Sequence, residues 1–388
     1  MSFHLDNIDF ERHNEEVRLV WEAYHARRPI RVPVVLAINP RIYLLNPHLN
    51  TQGITFREYS EDPDVMARVQ MASQHYVRHN LLQDAEMGLP SGWWIYVDLQ
   101  NTSEAAWFGA EVEYRDGQVP DTRPFLTDDN KRMLFDRGMP DPFKDGSMAR
   151  NQRFHEHMSA NLSHYTHSGV PATAVGLGGL GTDGPMTVAA SLRGATELCM
   201  DIYEGPDYVH ELLRFVTQAT IMRIQALRKL QGMEMKPQSW TFADDSIELL
   251  SVETYEEFVL PYHKMLLREL AGDGPHAVHL CGGVDRLMPT LKRELNVNTW
   301  DAGFPVDCAR MRRELGPDFE IHTGPGVSTL LHGTPEQVDA KCKEVLRSGI
   351  MDGGRFILIE ANNLCPCTPV ENVAAMYEAA KEYGGYGR

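Results

Sequence analysis

From residue 238 onward, short apolar runs rich in β-branched and aromatic residues alternate with stretches whose apolar positions recur every three or four residues. The first pattern fits a buried strand and the second a helix with one face against a core. Residues 238–245 predict a strand, and 252–270 predict one helix with Ser251 as its N-cap. The next strand is 276–281, followed by a helix through Leu287, Leu291 and Leu295. Residues 298–301 and 321–324 repeat the strand pattern, and Thr334-Pro335-Glu336-Gln337 opens a helix with Pro in its first turn. A last strand, 355–360, leads through a loop bearing Cys365-Pro366-Cys367 into Thr368-Pro369-Val370-Glu371-Asn372, which starts the final helix in the same manner.

The first half is patterned less sharply. It predicts a helix over about 14–26 and strands over 31–38, 93–98 and 172–177. Residues 109–158, rich in Asp, Pro, Gly and Met, predict an excursion over one end of the fold, since long loops of that kind are usually functional or mobile. Repeated βα units imply parallel strands joined by right-handed crossovers. The length suffices for eight units and no G-x-G-x-x-G follows a first strand, so the α/β fold expected is a closed (β/α)8 TIM barrel and not an open dinucleotide-binding sheet. Residues 1–388 are read as a single barrel domain with an N-terminal helical extension over about 1–30.

Composition changes this picture little. A 43% hydrophobic, 23% charged chain is ordinary for a globular protein. The net charge of −17 opposes a nucleic-acid partner. The short cluster Arg27-Arg28-Pro29-Ile30-Arg31 predicts only a solvated turn before a strand. No apolar run approaches the ~20 residues of a membrane span, and the opening Met1-Ser2-Phe3-His4-Leu5-Asp6 lacks the order of a signal peptide. A cytoplasmic location is expected. The 6 cysteines are too few for a disulfide scaffold, so clustered thiols point to metal or catalysis.

The sharpest chemical feature is His279-x-Cys281. Residues two apart on a strand point to one face, and here they lie near the strand's C-terminal end, where barrel enzymes keep their chemistry. Imidazole and thiolate are preferred zinc ligands, and Cys365 or Cys367 opens onto the same rim as the expected third. A sulfur-rich Zn2+ site lowers the pKa of a substrate thiol while leaving it electron-rich, which favours alkyl transfer over hydrolysis. Asp244 and Asp245 end a neighbouring strand, and each is a candidate catalytic carboxylate, a further metal ligand, a partner for His279 or a cap for the next helix; Asp301 ends the strand after 276–281 and is a candidate of the same kind. Asp98 is a weaker candidate of the same kind. The glycine-rich 176–181 lacks a phosphate-loop ending and predicts a flexible rim loop, His155-Glu156-His157 a polar helix surface, and Cys199, Cys308 and Cys342 helical filler.

The stretches Arg27 to Val34, Glu256-Glu257-Phe258-Val259-Leu260-Pro261-Tyr262, His279-Leu280-Cys281-Gly282-Gly283, Gly333 to Val338 and Thr368 to Val373 together resemble the uroporphyrinogen decarboxylase superfamily. The His-x-Cys pair makes the chain similar to its methylcobalamin:coenzyme M and corrinoid-dependent methyltransferase branch. That resemblance implies a barrel with its site at the C-terminal rim, and His279 and Cys281 as the first two zinc ligands. It also implies a methyl group moving between a corrinoid carried by a partner protein and a small thiol or methylated donor. Asn362 falls where the relatives place their distal Cys, and Cys365 lies in a rearranged loop, nearer the strand end than Cys367. The alternative is a metal-independent decarboxylase of a polycarboxylate, using Asp98. A homo-oligomer is possible on either reading.

Overall fold

The computed structural model describes residues 8–387, so the reading of the opening hexapeptide lies outside the described residues. Eight strands form the centre: β1 (Val34–Val35), β2 (Trp93–Tyr96), β3 (Val170–Gly176), β4 (Thr241–Ala243), β5 (His276–Leu280), β6 (Val297–Ala302), β7 (Glu320–Thr323) and β8 (Phe356–Ile359). Six pair in the order β1-β8-β7-β6-β5-β4, β2 pairs with β3, and every ladder among them is parallel. Helices separate successive strands, as expected for a TIM-barrel-like fold. Thr334 caps the helix Pro335–Leu346 with a full capping box to Gln337, as its sequence predicts.

The ring has two seams where backbone ladders give way to side chains and loops. On the free edge of β1, Asp84 stands in for a neighbouring strand: its backbone N–H donates to the Val34 carbonyl at 2.6 Å and its Oδ2 accepts from Val34 N at 2.7 Å. That carboxylate is fixed by both terminal nitrogens of Arg31, at 2.6 and 2.7 Å. Arg31 is therefore buried and structural, which corrects the expectation of a wholly solvated basic turn; Arg27 and Arg28 are exposed. Between β3 and β4, Ala243 N donates to the Thr182 carbonyl at 3.2 Å.

Three local expectations change. Residues 252–270 form two helices, Val252–Phe258 and Leu260–Leu270, because Pro261 has no N–H and its ring crowds the preceding turn. The final helix, Val370–Tyr383, begins without a threonine cap: Pro369 is its N-cap residue, and Thr368 Oγ1 donates to the Cys365 carbonyl at 2.8 Å. The loop 176–181 is tied down and not loose, since Asn151 exchanges two hydrogen bonds with Gly178 and Arg223 Nη2 donates to the Gly181 carbonyl at 2.7 Å. Residues 109–158 hold the hairpin Val112–Glu113/Asp121–Thr122 and the helices Met133–Arg137 and Gly146–Ala160. No described helix is long and apolar enough to cross a membrane.

Candidate metal centre and the cavity beside it

Strand alternation leaves Val278 and Leu280 fully buried while His279 and Cys281 stay half-buried and face one another, with Cys281 Sγ 3.5 Å from His279 Nε2. Parallel register does the rest. It sets Asp301 of β6 directly beside His279, so that Asp301 Oδ2 meets His279 Nδ1 at 2.8 Å. It sets Ala243 of β4 beside His279 on the other side, so the chain leaving β4 brings Asp245 to the same rim. There Asp245 Oδ1 accepts from Cys281 N at 2.8 Å.

Among the described residues, Asp245, His279 and Cys281 form the one group whose potential metal-ligating atoms all lie within 4.8 Å of one another. Two bonds of ~2.0 Å to nitrogen and ~2.3 Å to sulfur at a tetrahedral angle place those atoms about 3.5 Å apart, so the observed N···S spacing fits zinc without rearrangement. Donation of the Nδ1–H to Asp301 leaves Nε2 toward Cys281, the usual way a carboxylate orients a metal-binding histidine. Hydrogen bonding to Asp301, with help from Cys281, pushes the His279 pKa up to about 11 against the opposing effect of burial. Burial raises the Asp245 pKa, partly offset by the Cys281 N–H, while nearby Asp244 and Glu248 raise it further.

The carboxylates and thiols singled out in the sequence thus part company. Asp244 is fully buried, and its oxygens accept from Met186 N, Thr187 N, Thr187 Oγ1 and His263 Nε2. These bonds tie it to the first-turn N–H groups of the helix Pro185–Arg193, whose own N-cap residue is Gly184, and Asp244 does not line the cavity beside the cluster. Cys365 and Cys367 stand outside the cluster. Cys367 is exposed, with its Sγ 3.9 Å from the Leu45 carbonyl, and burial together with Glu360 raises the Cys365 pKa. Of the sequence candidates it is the Asp245 carboxylate, and neither of these thiols, that lies within ligand spacing of His279 and Cys281. Asp98 is half-buried and engaged by Tyr59 at 2.8 Å and by Gln100.

A cavity of about 330 Å³ adjoins the cluster, with Asp245 and His279 in its wall. From the loop after β8 it is Asn363, not either cysteine, that lines this space. Glu104 and Asp183 line it too, and the sequence pattern did not single out either. Glu104 accepts from Thr182 Oγ1, from Asp183 N at 2.6 Å and from Arg223 at 2.8 Å. Asp183 follows the glycine-rich loop; its carboxyl is pushed up to about 7 by burial and by Glu104 and Asp245. A third unanticipated acid, Glu360, ends β8 fully buried. Its Oε1 accepts from Ala37 N at 2.8 Å, its Oε2 has no partner, and burial holds its pKa well above the carboxylate range. Its one visible signal is a charge closing the otherwise apolar run Phe356-Ile357-Leu358-Ile359.

The chain resembles proteins of two activities. It is 30% identical over 202 residues to a methylated-thiol–coenzyme M methyltransferase and 28% identical over 205 residues to a methylcobamide:CoM methyltransferase, both of Methanosarcina mazei. The first match covers 51% of each chain; the second covers 52% of this chain and 56% of the relative. It is also 26% identical over 186 residues to a uroporphyrinogen decarboxylase of a Synechococcus species, 46% of this chain and 49% of the relative. The chain spans about half the length of the curated relatives it matches. Over the whole fold, a solved methyltransferase from Methanosarcina mazei superposes with a TM-score of 0.63 at 18% identity, covering 94% of this chain and 98% of the other. The model of the family described as uroporphyrinogen decarboxylase (URO-D) matches residues 18–383, and the chain belongs to that family.

Proposed function

We propose that the chain is a zinc-dependent methyltransferase that moves a methyl group between a corrinoid carried by a partner protein and a small thiol or methylated donor. The observation that carries this reading is the convergence of Asp245, His279 and Cys281 at zinc-ligand spacing on the C-terminal rim. An ion held there would supply Lewis acidity, lowering the pKa of a thiol or polarising a methylated heteroatom. Asp301 fixes the His279 tautomer and ring plane, so that Nε2 is the nitrogen offered. Cys281 contributes the soft donor, and its own backbone N–H orients Asp245. The adjoining cavity admits a small molecule beside these donors, while the rim is the side from which a second protein must approach. With three protein donors, a fourth coordination position is left for substrate.

The decarboxylase alternative draws less support from the geometry. A polycarboxylate needs cationic partners, and the cavity wall contains neither Lys nor Arg. The deciding experiment compares Cys281→Ser with wild type for zinc content and for methyl transfer from methylcobalamin to a panel of thiols. Loss of bound zinc and of transfer is expected. A variant that keeps both would overturn the mechanism.

A further inference from the structure

The lining of the cavity beside the metal cluster has a charge that does not cancel. Glu104 is neutralised by Arg223. Arg41 lies near both Asp98 and Asp183, so one cation serves two carboxylates, and its Nη2 donates to Asn101 at 3.2 Å. Asp183 accepts no hydrogen bond from the described residues; only its backbone N–H is engaged, with Glu104. Asp121 adds a further, exposed carboxylate, whose Oδ1 accepts from Thr122 N. A bound divalent ion leaves this imbalance in place. Its two charges are offset by the Asp245 carboxylate and the Cys281 thiolate, and His279 must then be neutral, leaving the Asp301 charge beside it uncompensated. An anion entering the cavity would meet net repulsion at short range, where solvent screens poorly.

We infer that the small molecule taken by this site carries an ammonium or hydroxyl groups at the end remote from its sulfur or methylated atom, with Asp183 as the residue that receives that end, and that sulfonates and carboxylates are disfavoured. This rests on the metal reading above for where the sulfur goes, and on the cavity's charge alone for what the other end must be. Burial, Glu104 and Asp245 raise the Asp183 pKa to about 7, so a cationic end placed beside it would draw its carboxyl into the ionised form.

A matched series tests the inference: 2-aminoethanethiol, 2-mercaptoethanol and 2-mercaptoethanesulfonate share one thiol arm and differ in terminal charge. Each is titrated into the cobalt(II)-substituted protein and followed by the thiolate-to-cobalt absorption band, with affinities corrected for each thiol's own pKa. The expected order is ammonium, then hydroxyl, then sulfonate, with at least about tenfold between the extremes, the effect of one poorly screened charge contact. Asp183→Asn is expected to narrow that gap about fivefold or more. Equal binding, or tightest binding of the sulfonate, overturns the inference on the wild type alone, whatever the variant's folding. A protein that takes up no cobalt defeats the metal reading instead. The same three compounds followed by calorimetry then decide the charge preference, with the same order expected and the same reversal fatal.

Discussion

Among the described residues, the Asp301 side chain hydrogen-bonds only the ring of His279, so its loss separates orientation from ligation. Asp301→Asn is expected to weaken zinc binding by about 10- to 100-fold, the usual effect of losing such a support, with zinc content and chelator competition as the readout. The same residue governs the pH dependence. Without metal, His279 binds its proton more tightly than the ordinary 6.5, so its stabilising pair with Asp301 is complete below that value and fades as pH rises through about 11. An ion must displace that proton, so zinc affinity should rise with pH. Uptake near pH 7 should release a proton from His279, measurable with an indicator dye in weak buffer, and Asp301→Asn should reduce the release. The third donor gives a contrast of its own. Asp245→Asn should lower zinc content substantially, whereas Cys365→Ser and Cys367→Ser should leave it near wild type; zinc lost from Cys365→Ser would restore the thiol expected from the sequence. His279 and Cys281 were legible because strand alternation is local, whereas Asp183 and Glu104 were not, because nothing in a loop sequence states which cavity it will line.

At the level of elements, the free edge of β1 is held by a buried ion pair in place of a ladder. The Arg31 and Asp84 side chains are 9% and 0% exposed, so removing one partner strands the other charge. Asp84→Ala should cost about 3–5 kcal/mol by urea unfolding, and adding Arg31→Met to it should recover part of the loss. The second seam is just as confined. A Cβ on Gly184, whose φ is +88°, would lie 2.2 Å from the Ala243 carbonyl, so Gly184→Ala should displace β4 and with it Asp245. The order of strands and helices from 238 onward was readable, as was the Thr334 capping box, because each depends on neighbours within a few residues. The break at Pro261 was also written in the sequence, but the apolar periodicity running across it obscured it. The seams were hidden, since Asp84 looks like any other loop aspartate until β1 lies beside it.

For the whole molecule, zinc should act as a ligand of the folded state and not as the scaffold itself, because the core runs through the barrel and its helices independently of the rim cluster. Added zinc should raise the wild-type melting temperature in proportion to the logarithm of its free concentration. The Cys281→Ser variant should show little such rise, while remaining folded by circular dichroism. Unfolding on chelation alone would mean that the metal holds the fold together.

The amino-acid sequence by itself determined the alternating βα order, the placement of His279 and Cys281 on one strand face, and the acidic balance of the chain, since each follows from periodicity or composition. Only the tertiary structure brought Asp245 and not Cys365 to ligand spacing of His279 and Cys281, tied Asp244 to the first turn of a distant helix, and left the Asp183 carboxylate in the cavity wall with no hydrogen bond from the described residues. The physical reason is range. The bond that brings Asp245 to Cys281 joins residues 36 apart, and the contact of Arg223 with Glu104 spans 119. Such meetings are fixed by parallel register and barrel closure, which no local pattern of residues encodes.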